Sequence, residues 1–225
     1  MDKKRRYVAV GRDTMRNKER AELCEEYLEK EYPDAKCSLT YSSAFQLLIA
    51  TRLSAQCTDA RVNIVTPALF SQFPDAESMA LADVKRVEEL IKTCGLYKTK
   101  AKDLVEISKA LVERYDSVVP DTIEELTTLS GVGRKTANLV VGDIYGKPAV
   151  VTDTHFIRIM GRLGLTKGTE PKSVEMQAKK ILPPDGSNDF CHRIVHFGRD
   201  ICSARSPKCG DCPLNTVCKK TGVKR

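Results

Sequence analysis

Four cysteines near the C-terminus constrain this chain more than any other feature. They are separated by six, two and five residues, and they are Cys202, Cys209, Cys212 and Cys218. Thiols so close in sequence can reach one metal centre at little cost in loop-closure entropy. Two disulfides are disfavoured because the chain has the composition of an intracellular protein. The spacing alone fits both a tetrahedral zinc site and an iron–sulfur cluster, with a slight preference for zinc.

The composition predicts a globular, cytoplasmic protein. The chain has 225 residues, of which 41% are hydrophobic, so it can form one large domain or two small ones. We expect no signal peptide and no membrane span, since no apolar run approaches ~18 residues. The net charge of +7 favours a polyanionic partner. The other cysteines have apolar sequence neighbours, as in reduced proteins, and are Cys24, Cys37, Cys57, Cys94 and Cys191.

Hydrophobic periodicity predicts helices almost throughout, and strand signals are nearly missing, so we expect an all-α fold. A first helix should end before Pro33, and residues 43–55 are apolar nearly all round, which is typical of a buried helix. Pro67 inside the predicted helix 58–70 indicates a kink or a break. Further helices are predicted over 84–91, 101–112 and 190–201.

A second chemical signal is a glycine-containing turn between two predicted helices. Asp121, followed by Glu124, resembles a capping box that opens a short helix ending at Leu129. Gly131 and Gly133, on either side of Val132, then allow a tight hairpin before a new helix near Arg134. The backbone N–H groups at such a helix start can bind phosphate. The glycines alone would equally fit an ordinary helix–turn–helix corner.

Two cations at this helix start favour the anion-binding interpretation. Arg134 and Lys135 lie in the first turn, where the helix dipole disfavours each cation by roughly 0.3–1 kcal/mol. A fold tolerates this when an anion docks there. The fold also tolerates a cation at this position when a neutral lysine amine is needed there as a nucleophile.

The third signal is an apolar stretch, residues 150–152, that leads to Asp153. From this segment alone the favoured interpretation is an N-cap, which is a common role for aspartate. His155 is interpreted as a packed or capping histidine rather than a catalyst.

Together these segments resemble the endonuclease III family of DNA-repair glycosylases, within the helix–hairpin–helix superfamily. Besides the four cysteines, the matching motifs are Leu53–Gln56 with Thr58–Asp59, Gly95–Tyr97, Lys135–Asn138 and Val151–His155. The resemblance covers about residues 17–220. The chain departs from the family at Ser130, where proline is usual, and at Cys57, where alanine is common.

The resemblance implies an all-α fold in two lobes with DNA across the cleft between them. A six-helix barrel lobe, which contains the helix–hairpin–helix, would span residues 37–147. The second lobe would combine residues 17–36 and 148–225, and residues 1–16 would form a basic flexible arm. The four cysteines would hold a 4Fe–4S cluster in place of zinc. The cluster would order a loop whose cations can meet phosphates, and these cations are Arg205 and Lys208.

The implied activity is that of a bifunctional DNA glycosylase/AP lyase that removes oxidised or ring-saturated pyrimidines from duplex DNA. Lys135 would attack C1′ of the flipped nucleotide, and Asp153 would accept its proton or stabilise positive charge on the sugar. β-Elimination would then nick the strand. Gln56 and Leu96 would fill the gap in the duplex. The DNA backbone would be bound by Gly131, Val132, Gly133, Arg134, Arg205 and Lys208.

Two other functions remain open at this point. One is an adenine- or mismatch-specific glycosylase of the same superfamily, although such enzymes typically lack a lysine at position 135. The other is a non-catalytic DNA-binding module, which the pair Lys135 and Asp153 argues against. The expected partner is double-stranded DNA with damaged bases or abasic sites. We expect a cytoplasmic monomer that is associated with the nucleoid if the source is bacterial.

Overall fold

The structure is a computed structural model that describes residues 14–223. These residues form helices and connecting segments without a strand, which confirms the all-α prediction. The chain divides into two compact units, one of residues 37–147 and one that combines 14–36 with 148–223. Most of the predicted arm, residues 1–16, lies outside the described residues. In residues 14–223 no helix is long and apolar enough to cross a bilayer.

Eleven α-helices and one short 3-10 helix, Pro213–Thr216, occur in the described part of the chain. In chain order the α-helices are α1 (Asn17–Glu31), α2 (Ala44–Ser54), α3 (Asp59–Gln72), α4 (Ala76–Ala80), α5 (Val84–Leu90), α6 (Tyr97–Tyr115), α7 (Ile123–Leu126), α8 (Arg134–Tyr145), α9 (Thr154–Leu163), α10 (Pro171–Ala178) and α11 (Ser187–Asp200).

Helix α2 is the central element of the 37–147 unit, as its apolar sequence predicts. The side chains from Leu47 to Ala50 and that of Leu53 are fully buried. The helix starts at a cap in which Ser43 Oγ accepts the N–H of Gln46 at 3.2 Å. It packs against α3, α6 and α8. The two elements that matter below, the hairpin before α8 and the start of α6, are therefore fixed on one buried scaffold.

Of the kink or break predicted at Pro67, the break is wrong, because α3 continues through this residue to Gln72. Pro67 lies on the exposed side of the helix. Water can therefore replace the N–H donor that proline lacks, and the buried residues of α3 keep their packing.

The predicted capping box at Asp121 is also wrong, and the N-cap of this helix is Thr122, one residue further along the chain. Thr122 Oγ1 accepts the N–H of Glu125 at 3.2 Å and donates to its Oε2 at 2.6 Å. Asp121 instead pairs with Lys147 Nζ at 2.6 Å. Helix α7 ends at Leu126, before the predicted Leu129. The aspartate that the local pattern assigned to the cap therefore forms an ion pair with a lysine further along the chain.

The second unit is built from segments at both ends of the described chain. Helix α11 packs against both α1 and α9. Arg20 of α1 is fully buried and donates to the carbonyl groups of Met15, at 3.2 Å, and of Val217. The bond from Arg20 to Val217 therefore links two residues that are 197 positions apart in the chain.

Candidate active site and iron–sulfur site

The hairpin before α8 is held by a nearly buried ion pair. Gly131 has a positive φ of 66°, and a Cβ there would collide with the Arg52 side chain. Arg52 Nε donates to Asp103 Oδ2 at 3.0 Å, and the two side chains are only 14% and 16% exposed. Ser130 Oγ donates to the other oxygen of Asp103 at 3.2 Å. Serine at this position therefore gives the hairpin a polar anchor, and glycine at position 131 is required by both space and backbone conformation.

Helix α8 begins at Arg134, as predicted, and its N-terminus has no side-chain cap. The N-cap residue is Gly133, and Val132 beside it is buried. Lys135 is exposed in the first turn. The first N–H groups of a helix have no partner within the helix, so they favour an anion. The structure thus brings together N–H donors and two cations at one helix start.

Gln56 and Leu96 lie on two neighbouring loops with strained backbones. Both have φ values in the left-handed region, 54° and 58°. A Cβ at Gly95 would lie 3.3 Å from the backbone oxygen of Gln56, so the two loops approach closely. Leu96 is 59% exposed. Such strain in non-glycine residues is typical of functional sites, and the two predicted gap-filling residues lie side by side on the same unit.

Asp153 is the N-cap of α9, which confirms the interpretation that its own segment favoured. Its Oδ1 accepts the N–H of Phe156 at 2.7 Å, and this bond fixes the carboxylate. The second oxygen takes no part in the cap. His155 is packed, as expected, with Nδ1 at 3.2 Å from Arg158 Nη2. Asp153 belongs to the second unit, whereas Lys135 belongs to the 37–147 unit.

The four C-terminal cysteines line one cavity in the second unit. Its apolar lining includes Ile159, Leu163, Phe197 and Leu214. Burial raises the pKa of Cys212 and Cys218, and the other thiols of the set raise both further. Four mutually repelling thiolates need a positive metal centre to compensate them. The chemistry of these four donors therefore suits a metal centre that takes four thiolates.

Arg162 organises this cysteine loop, and sequence reasoning missed it. Its guanidinium donates to the carbonyl groups of Ser203 at 2.7 Å and Ala204 at 2.8 Å. It also approaches Cys202 Sγ at 3.4 Å. Cys218 Sγ lies 3.3 Å from the carbonyl oxygen of Arg162 itself. One residue of α9 therefore contacts both ends of the four-cysteine loop. No local sequence pattern indicates this role, because Arg162 lies beside the apolar stripe of its helix rather than on it.

Beyond the four cysteines, Cys24 of α1 is fully buried and interacts electrostatically with Cys212 and Cys218. Its pKa is raised, mainly by burial. By sequence Cys24 is only one of five cysteines outside the C-terminal set, because the folded chain alone shows what α1 packs against. Arg205 and Lys208 are exposed on the cysteine loop, as their predicted contact with phosphates requires.

Comparisons with known proteins agree with this fold and these sites. Residues 49–184 match the model of the HhH-GPD superfamily of base excision DNA repair proteins, and residues 202–218 match the iron–sulfur binding domain of endonuclease III. The chain is 48% identical to endonuclease III of Synechocystis sp. over 85% of this chain and 88% of that protein. It is 40% identical to endonuclease III of Bacillus subtilis over 94% and 96%.

A solved structure of a trapped endonuclease III–DNA covalent intermediate has a TM-score of 0.86 and 39% identity, over 92% of this chain and 97% of that one. The fold and sites thus define a helix–hairpin–helix protein of base excision DNA repair. Within that superfamily, the chain belongs to the endonuclease III family.

Membership in this family settles the open alternatives. The chain is a bifunctional pyrimidine DNA glycosylase with AP lyase activity, so the prediction of an enzyme is confirmed and the alternative of a non-catalytic module is excluded. Its cofactor is a 4Fe–4S cluster. The slight preference for zinc is therefore wrong, because four thiolates at this spacing satisfy either centre and the spacing alone cannot discriminate between them.

Proposed function

We propose that Lys135 is the nucleophile that attacks C1′ and that its nitrogen carries the Schiff base through the strand-cleaving step. Its exposure at an uncapped helix start supports this role, because the amine can reach a sugar whose phosphates bind the same helix start. The neutral Nζ would attack C1′, and the bond from C1′ to the base would break with its electrons leaving on the base. The C1′–O4′ bond of the sugar would then open, with O4′ taking up a proton, to give a Schiff base between C1′ and Nζ. Loss of a proton from C2′ of this Schiff base would expel the 3′ phosphate. The strand is nicked without any added water.

Asp153 acts beside the sugar as a fixed carboxylate. Its bond to the N–H of Phe156 sets its orientation, and its second oxygen remains for the substrate. A negative oxygen there would stabilise positive charge that develops on the sugar as the base leaves, or accept the proton that Lys135 loses.

The remaining site residues bind DNA or the cluster. Backbone groups at 131–133 and the cation of Arg134 would bind phosphates, with Arg205 and Lys208 adding contacts from the cysteine loop. Gln56 and Leu96 would fill the space that the flipped nucleotide leaves. The cluster would be held by Cys202, Cys209, Cys212 and Cys218, and when bound it supplies order to this loop rather than a reaction step. We further propose that the protein acts as a cytoplasmic, nucleoid-associated monomer.

The preferred substrates are ring-saturated pyrimidines in duplex DNA. A saturated ring is not planar and stacks poorly, so extruding it costs less than extruding thymine. Duplexes that contain thymine glycol, dihydrouracil, 8-oxoguanine or an adenine mismatch would rank this preference. We expect the two saturated pyrimidines to be excised first. Preferred excision of adenine opposite 8-oxoguanine would contradict the proposal.

Borohydride trapping on abasic duplex DNA tests the nucleophile most directly. Lys135→Gln should abolish the trapped complex and base excision, yet keep most of the affinity for abasic DNA. Lys102→Gln is a matched control, because Lys102 is an exposed lysine of the same unit and its loss changes the net charge equally. Wild-type nicking by Lys135→Gln would show that another group attacks C1′.

A further inference from the structure

A buried lysine lies between the two loops that carry Gln56 and Leu96. Lys100 of α6 is fully buried, and its Nζ donates to the carbonyl oxygen of Leu53 at 2.8 Å. Among the described residues it forms no ion pair. Burial lowers the pKa of Lys100, whereas the nearby thiols of Cys57 and Cys94 act in the opposite direction. A buried cation without a counter-ion is costly, so its presence requires an explanation.

The ammonium group caps the C-terminal end of α2. Leu53 lies in the last turn of this helix, which ends at Ser54. Carbonyl groups in a last turn lack a partner within the helix, and the dipole there favours a cation. With the ammonium bound, the chain can leave the helix immediately and turn at Gln56 into its left-handed conformation.

Lys100 also belongs to the turn that holds Leu96. Its backbone N–H donates to the carbonyl of Leu96 at 3.0 Å, which makes it the first N–H bonded within α6. The side chain of Lys100 therefore fixes the loop of Gln56, and its backbone fixes that of Leu96. Gly95 completes the arrangement, because it leaves room for the carbonyl oxygen of Gln56.

We propose that Lys100 is a positioning residue that holds Gln56 and Leu96 together as a preformed wedge, so that DNA does not have to order the two loops on binding. This inference rests on the proposed gap-filling role of Gln56 and Leu96. Ordering a loop on binding has an entropic cost that a prefixed loop has already met in folding. Lys100 itself touches neither the sugar nor the base.

The test compares two substrates of which only one needs a wedge. Duplex DNA with thymine glycol leaves a gap when the nucleotide is flipped, whereas a single-stranded abasic oligonucleotide has no opposite base and no gap to fill. Lys100→Met keeps the length of the side chain and removes its charge. We expect this variant to excise thymine glycol from the duplex about tenfold more slowly, because DNA binding must then also order about one further residue.

Trapping on the single-stranded abasic oligonucleotide should stay within about twofold of wild type, because an intact fold and active site suffice there. Lys102→Met is the matched control, since Lys102 is exposed on the same helix and carries the same charge. Equal loss on both substrates would indicate a merely structural role and would overturn the proposal. An unchanged duplex rate in Lys100→Met would overturn it as well.

Gly95→Ala tests the same arrangement without removing the lysine. The new methyl group, 3.3 Å from the Gln56 oxygen, should push the loops apart and cause a smaller loss on the duplex only.

Gln56→Ala and Leu96→Ala distinguish the gap-filling role of these two residues from the positioning role of Lys100. If both excise from the duplex at the wild-type rate, the wedge itself is wrong. If both are slow while Lys100→Met resembles Lys102→Met, only the positioning role is wrong.

Discussion

The helix starts at Gly133 and at Asp153 differ in a way that suits partners of opposite charge. Helix α8 begins without a side-chain cap and has cations in its first turn. Helix α9 begins with a carboxylate that satisfies its own backbone. The uncapped start is less favourable in the free protein and suits an external anion. The capped start is complete by itself and holds its carboxylate in a fixed orientation, as the proposed stabilisation of positive charge on the sugar requires.

The largest effect is expected when the charge at the capped start is removed. Asp153→Asn should retain the cap, because asparagine is an equally good N-cap residue. Its excision rate should nevertheless fall by about 10²–10³-fold, the usual cost of losing one electrostatic contact to a transition state. Single-turnover excision from a thymine glycol duplex measures this effect. A rate near wild type would mean that the carboxylate only caps the helix.

A second experiment gives the uncapped start the cap that it lacks. Gly133 has φ −90°, and a Cβ there would meet no atom within 4 Å, so a side chain fits. Gly133→Asp should stabilise the free protein by a few tenths of a kcal/mol. It should also weaken binding to undamaged duplex about tenfold, since its carboxylate would occupy the anion site. Calorimetry and fluorescence anisotropy measure the two effects. Gly133→Asn, which is neutral, is the control for charge. Unchanged DNA affinity would exclude phosphate from this helix start.

The cap of α9 should also contribute to stability independently of catalysis. Asp153→Ala should lower the free energy of unfolding by about 1 kcal/mol, whereas Asp153→Asn should leave it nearly unchanged. Thermal unfolding of the two variants, each with its cluster intact, checks this difference. Equal melting temperatures would show that the bond to Phe156 contributes nothing to the folded state.

The smallest effect concerns a cation that lies outside both helix starts. Arg205 is exposed on the cysteine loop. Arg205→Ala should reduce the slope of log K against log salt concentration for undamaged duplex by about one unit or less. Titrations at several salt concentrations provide the slope. A salt-independent affinity in the wild type would contradict backbone binding altogether.

Local patterns predicted the elements whose determinants lie within a few residues of one another. The buried helix α2, the start of α8 at Arg134 and the cap at Asp153 all follow from adjacent residues. The spacing of the four cysteines was an equally local signal, although it could not discriminate between a zinc site and an iron–sulfur cluster. Where two residues could perform the same local task, as Asp121 and Thr122 could, the decision came from Lys147 far along the chain.

The features that escaped prediction all depend on distant contacts. No sequence rule places Gln56 or Leu96 in the left-handed region, since neither is glycine or asparagine. Arg162 is one of many arginines until the fold sets it against Ser203 and Ala204. Lys100 stands one helical turn before the apolar residue Leu104, but a lysine is expected at the surface, and only the packing of α6 against α2 reveals that it is buried.

The contact of Arg20 with Val217 has a consequence for how the chain is made. During synthesis, residue 217 emerges 197 positions after residue 20, an interval of about 10–40 seconds at ~5–20 residues per second. Residues 37–147 are complete within that interval and can fold on the ribosome. The segment around Arg20 must wait in water, with its guanidinium hydrated, until the C-terminal segment arrives. The contact between Arg20 and Val217 therefore cannot form in a new molecule until residue 217 has been synthesised.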